Sequence, residues 1–187
     1  MARGKIVCFY GGKGGVGKTT TLLSLAGTLS KLNKKVLIVD LDLTNGAIAI
    51  SLNREANKTI FNFVEDYINN KYNDLDKYIT KYDENISFVA SPKDPRYASR
   101  IDVKYIDILL EKSVYNYDVV LIDTPSILNE ISVYSLDKSD VVYLLTTNDC
   151  VSLKNIKNLV NLFIENNLDK YKIILNNSFI PNKDYFS

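Results

Sequence analysis

Histidine and tryptophan are missing from the 187-residue sequence, methionine occurs once and cysteine twice. Without histidine there is no imidazole for acid–base work or metal ligation, so any such chemistry must run on carboxylates, hydroxyls and lysines. Cys8 and Cys150 fall in apolar surroundings at no metal or redox spacing. They read as two reduced, packed thiols of a cytoplasmic protein, and alone they cannot build a zinc site or an iron–sulfur cluster. A charge bias of one sign is lacking as well: 23 Lys and Arg stand against 22 Asp and Glu, for a net charge of +1. The first fifty residues hold seven basic residues against two acids and the remainder sixteen against twenty, which is no nucleic-acid stripe. No apolar run approaches the roughly 18 residues that span a bilayer, and "MARGKIVCFYGG" opens with no long apolar segment. A soluble chain is expected.

With 46% hydrophobic and 24% charged residues, the chain is long enough for one well-buried core and too short for two comfortable domains. Residues 1–187 are therefore read as a single domain. Short β-branched runs alternate with helix-period segments, the pattern of an α/β fold with a mostly parallel sheet covered by helices on both faces. The runs predict strands at 5–10, 35–40, 86–90, 118–123, 140–146 and 171–176. Helical stripes are carried by Leu22, Leu25, Ala26, Leu29 and Leu32, then Ile60, Val64, Tyr67 and Ile68. Two more follow, Ile106, Leu109 and Leu110, then Leu153, Ile156, Val160 and Phe163. Residues 72–85 read as polar and irregular, and 91–100 as a proline-containing loop. In such sheets ligands bind at the carboxyl ends of the strands.

Five of the eight glycines fall within residues 11–17, inside "FYGGKGGVGKTTT". Gly12, Lys13, Gly14, Gly15, Val16, Gly17, Lys18 and Thr19 satisfy G-x-x-x-x-G-K-[ST], directly after a strand and before a helix, with Thr20 next in line. Glycines let successive backbone N–H groups turn toward phosphate oxygens, and the helix that follows adds its positive end. Lys18 is placed to reach β- and γ-phosphate oxygens, and the Thr19 hydroxyl to ligate Mg²⁺. One lysine suffices for that grip, so Lys13 poses a question.

Two further strand ends carry carboxylates. Asp40 and Asp42 in "VLIVDLDLTNG" stand two apart, on one face of an extended segment that points toward the phosphate site. The alternative is that both terminate the strand and cap a turn with Asn45-Gly46. "YDVVLIDTPS" ends a buried strand at Asp123, where a carboxylate binds Mg²⁺ through water, and Thr124-Pro125 then fixes the path of the next loop. Asp40 is a second candidate for such a water-mediated contact. A guanine site usually shows N-K-x-D. "NKDY" at 182–185 has Tyr185 where the acid belongs, so ATP is favoured.

"KGGVGKTT" resembles the deviant Walker A sequence of the MinD/ParA ATPases, and the likeness extends through most of the chain. The resemblance implies a P-loop fold and a slow, partner-stimulated ATPase that uses ATP and Mg²⁺. It implies dimerisation around two nucleotides, with Lys13 crossing to the nucleotide of the other subunit. Lys13 as a merely solvated cation is the alternative. Lys13, Lys18 and Asp42 are then the catalytic residues, Asp42 orienting the attacking water in switch I. Asp123 stands in the switch II strand, and Asn176, with Asn177 and the loop around Pro181, lies against the adenine. "DLDLTNGAIAISL" and "FVASPKDP" are most similar to the pilus-assembly ATPases of the CpaE/TadZ type and to MinD. That implies a switch that positions or partitions a cargo through an activating or cargo protein, reaching membrane or nucleoid only through partners. A nucleotide-holding scaffold with negligible hydrolysis and a bacterial protein-tyrosine kinase remain open as alternatives. The sequence stops at "PNKDYFS" with no basic amphipathic membrane tail in view, so the chain reads as either minimal or truncated.

Overall fold

A computed structural model describes residues 3–176. Its strands are β1 Lys5–Gly11, β2 Val36–Asp40, β3 Thr80–Lys81, β4 Ile86–Val89, β5 Val119–Asp123, β6 Val141–Thr146 and β7 Tyr171–Leu175. They form one sheet in the order β3-β4-β2-β5-β1-β6-β7. Every pairing is parallel except the short β3–β4 ladder. The six strands expected from the sequence all form, each boundary within a residue of its expected place.

The helices are α1 Lys18–Lys31, α2 Ile48–Ser51, α3 Ile60–Ile68, α4 Val103–Ser113, α5 Glu130–Lys138 and α6 Cys150–Glu165. Alternate residues of β1 face opposite layers, as the period of two requires. Val7 and Phe9 pack with Leu22 and Ala26 of α1, while Ile6 packs with α3 and α4, and Cys8 and Tyr10 with α5 and α6. Helices thus cover both faces of the sheet. The expected stripes supply this packing except at helix ends, where Leu32, Ile68 and Leu153 are exposed. Residues 72–85 are more ordered than their polarity suggests: a 3₁₀ turn at Leu75–Tyr78 buries both end residues, and β3 follows it. A second 3₁₀ turn, Pro95–Arg100, occupies the expected proline loop.

One expectation is corrected. Cys8 is buried, its thiol pKa pushed up by that burial and by Asp123, but Cys150 is exposed. It is the first residue of α6, immediately after the N-cap Asp149, and there its side chain meets solvent rather than the apolar face of the helix.

Candidate functional site

Three neighbouring strands end side by side. The register sets Phe9 of β1 and Asp40 of β2 both opposite Asp123 of β5, so two carboxylates terminate adjacent strands beside the start of the glycine loop. Thr124, just past β5, donates its hydroxyl to the Phe9 carbonyl at 2.7 Å and locks the two strand ends together.

The loop then turns into α1. Gly17 is the N-cap residue at φ 92°, a left-handed conformation that glycine takes without strain. Helices α3, α4, α5 and α6 all begin with side-chain caps, from the Thr59–Asn62 capping box, Asp102, Asn129 and Asp149. Helix α1 has none. Thr21 is the first residue whose N–H enters the helical ladder, bonding to Gly17, so the amides of Lys18, Thr19 and Thr20 are first-turn donors without a helical partner. Around Gly14 and Gly15 an added Cβ would meet nothing within 4 Å. Open space, free donors and the positive end of a helix make an anion site.

Lys18 is 9% exposed and donates to Ser126 Oγ at 2.8 Å, while Thr19 Oγ1 donates to Asp123 Oδ2 at 2.6 Å. Asp123 Oδ1 is buried with no hydrogen-bond partner among the described residues. A buried, unpartnered carboxylate oxygen beside a threonine hydroxyl suits a hydrated divalent cation, and Thr19 and Asp123 are the residues that would hold it. Among the described residues no group of three or more His, Cys, Asp or Glu gathers as a metal site, so water and ligand oxygens would complete the shell. Burial raises both carboxyl pKa values, Asp123 to about 6 despite its Thr19 bond and the Lys18 charge, and Asp40 to about 7 with the Asp123 charge adding to the rise.

Asp40 braces the segment that follows β2. Its Oδ1 accepts the Asp42 N–H at 3.3 Å and its Oδ2 the Ile48 N–H at 3.2 Å. Asp42 lies beyond the strand end and half-buried, and its Oδ1 accepts the Asn45 N–H at 3.2 Å. The turn-capping alternative raised by the sequence thus describes the Asp42 contacts. A cavity of about 730 Å³ opens among Gly46, Ile50, Arg54, Ser91 and Lys93, with no residue of the glycine loop in its lining.

Lys13 Nζ stands 3.3 Å from Asp149, whose carboxyl is held down to about 2 chiefly by bonds from the Thr147 hydroxyl and the Ser152 N–H, with the Lys13 charge adding less. Asn176 lies against the loop, its Nδ2 donating to the Val16 carbonyl at 2.9 Å. Asn177 and Pro181 lie outside the described residues. Three contacts went unread in the sequence: Ser126 on Lys18, Asp149 on Lys13, and Asn155, whose Nδ2 donates to the Gly12 carbonyl at 2.6 Å. Ser126 had a signal in its place after Asp123-Thr124-Pro125. Asp149 and Asn155 had none.

A family model described as an AAA domain matches residues 4–177. An uncharacterised ATP-binding protein of Methanocaldococcus jannaschii is 30% identical over 79% of this chain and 55% of its own length. The chain spans less than two thirds of that relative and of the MinD proteins of Helicobacter pylori and Synechocystis that it matches. Among solved structures, a ParA family ATPase from Chlorobium tepidum superposes with a TM-score of 0.81 at 21% identity, covering 91% of this chain and 73% of that one. MinD of Pyrococcus horikoshii, solved with Mg-ADP, gives 0.78 at 24% identity, covering 91% and 69%. With the glycine loop, the two strand-end carboxylates and the parallel sheet in register, the chain belongs to the MinD/ParA family of P-loop ATPases.

Proposed function

We propose that the protein is an ATP-dependent dimerisation switch, cytoplasmic and slow to turn over, whose nucleotide state controls attachment to a cargo or activating protein. One observation carries the reading: an uncapped helix N-terminus faces open space with a buried lysine and a Thr19–Asp123 pair beside it. In this reading residues 12–20 wrap the phosphates, Lys18 neutralises charge on the β- and γ-oxygens, and Thr19 and Asp123 hold hydrated Mg²⁺. The cation, when bound, offsets phosphate charge as it builds toward the leaving group. Asp40 holds the segment carrying Asp42, and Asp42 orients the attacking water once a nucleotide draws that segment in. Lys13 supplies its charge to the second subunit. The Mg-ADP in the Pyrococcus horikoshii MinD structure supports the choice of ligands.

A second reading, a nucleotide-holding scaffold, draws on the Asp42 contacts, since its carboxylate caps its own turn. Phosphate release and sedimentation velocity, measured with ATP and with ADP on the wild type and on Asp42→Ala, separate the two. A switch shows slow turnover, an ATP-dependent dimer and a dimer that outlasts the wild type's in Asp42→Ala. A wild type that binds ATP without turnover and sediments identically in both nucleotides overturns the switch.

A further inference from the structure

Two asparagines from the far end of the sequence touch the glycine loop, and we propose that Asn155 and Asn176 are positioning residues that clamp it from both sides in its phosphate-accepting shape before nucleotide arrives. The inference rests on the reading of the loop as a nucleotide site. A loop of glycines has more backbone freedom to lose than any other segment, and a Cβ added at Gly14 or Gly15 would meet nothing within 4 Å among the described residues. Order must be imposed at its ends. Asn155 Nδ2 donates to the Gly12 carbonyl at 2.6 Å, and Asn176 Nδ2 to the Val16 carbonyl at 2.9 Å.

Peptide planarity turns these contacts into aim. In a trans peptide the C=O and the following N–H point in opposite directions. Drawing the Gly12 carbonyl toward Asn155 therefore turns the Lys13 N–H away from α6, and drawing the Val16 carbonyl toward Asn176 turns the Gly17 N–H away from β7. The two pinned peptides bracket the four residues that must wrap a phosphate. Close approach marks both jaws: a Cβ on Gly12 would lie 2.5 Å from Asn155 Cβ, and one on Gly17 2.3 Å from Asn176 Nδ2. Each jaw is itself anchored, Asn155 within α6 behind the Asp149 cap and Asn176 by its own N–H on the Thr146 carbonyl. A carbonyl only accepts, so an amide serves at both positions where a carboxylate would repel.

The test uses Asn155→Asp and Asn176→Asp, singly and together, with the paired Ala variants as a second set that removes the donors without adding charge. In the nucleotide-free protein, ¹⁵N order parameters of the Lys13 and Gly17 amides should fall from near 0.85 to below about 0.6 in the double variants. Affinity for a fluorescent ADP analogue with Mg²⁺ should drop about tenfold per lost bond. Order parameters that stay at the wild-type value in both double variants overturn the clamp. So does a loss of affinity without loosening, which would mean that the asparagines act on the nucleotide directly. If the double variants loosen the loop but the wild type binds no nucleotide, the clamp stands and the proposed function falls.

Discussion

Asp40 and Asp123 occupy facing positions on adjacent strands, 1% and 2% exposed. Their pKa values, raised to about 7 and about 6, mean that the folded state holds protons that the unfolded chain releases near pH 4. Folded-state stability from this source is therefore full below about pH 4 and is lost as pH rises toward 7, at a cost on the order of a few kcal/mol. No histidine competes in that window. The melting temperature of the nucleotide-free protein should rise on acidification from pH 7.5 to pH 5.5, and Asp123→Asn should raise it at pH 7.5 and flatten the slope. Differential scanning fluorimetry across that range checks both, and a flat profile in the wild type would mean that the carboxylates are ionised and hydrated. Lys18 lends its charge to Asp123, and its ammonium donates to the Ser126 hydroxyl. Lys18→Ala should leave the fold intact, since no ion pair is broken, while nucleotide affinity falls at least a hundredfold. Titration with a fluorescent ADP analogue measures it, and full affinity would move the phosphate site elsewhere.

Helix α6 grips two consecutive residues of the loop, Gly12 through Asn155 and Lys13 through its N-cap Asp149. The Asp149 pair is half-exposed and so worth at most about 1 kcal/mol, yet it occupies the one lysine that the proposed dimer needs. Asp149→Asn keeps Oδ1 for the Ser152 N–H, removes the charge, and puts an amide donor where Oδ2 accepts the Thr147 hydroxyl. It should tighten ATP-dependent self-association by up to about fivefold, read by sedimentation velocity; weaker association would show that Asp149 serves the dimer itself. These contacts explain what could be read from sequence. The glycine loop, Asp123 and the strands are local strings, legible from residue type and period. The Asn155 contact joins residues 143 apart in sequence, and no local pattern announces it. Helix α5 escaped for another reason: its buried residues are Ser132, Ser135 and Leu136. The two serines turn their hydroxyls onto the Ile127 and Ile131 carbonyls, so the inward face of the helix is too polar to register as an apolar stripe. Helix α2 and β3, at four and two residues, are shorter than any period can reveal.

Across the whole molecule, the parallel sheet sets β2, β5 and β1 side by side at its centre, so their carboxyl ends bring the carboxylate segments and the glycine loop together although Thr19 and Asp123 stand 104 residues apart in sequence. There Thr19 bonds Asp123 and Lys18 bonds Ser126, and these are the groups proposed to take the phosphates and Mg²⁺. Lys13 takes no part in those contacts: its ammonium pairs with Asp149, the N-cap of α6. A second cation left out of its own cradle is what a second subunit could use. Lys13→Gln should therefore bind ATP and Mg²⁺ normally yet fail to dimerise, and hydrolysis should fall by on the order of 10³-fold if the charge acts as a finger in trans. Lys13→Arg should rescue poorly, because a planar fork does not replace a compact ammonium at a crowded phosphate. The decisive comparison blocks hydrolysis first. Asp42→Ala alone should sediment as a dimer in ATP, and Lys13→Gln/Asp42→Ala as a monomer with the nucleotide still bound. Equal dimerisation of the two variants would show that Lys13 is a solvated cation and that the second subunit, if one binds, is held by other groups.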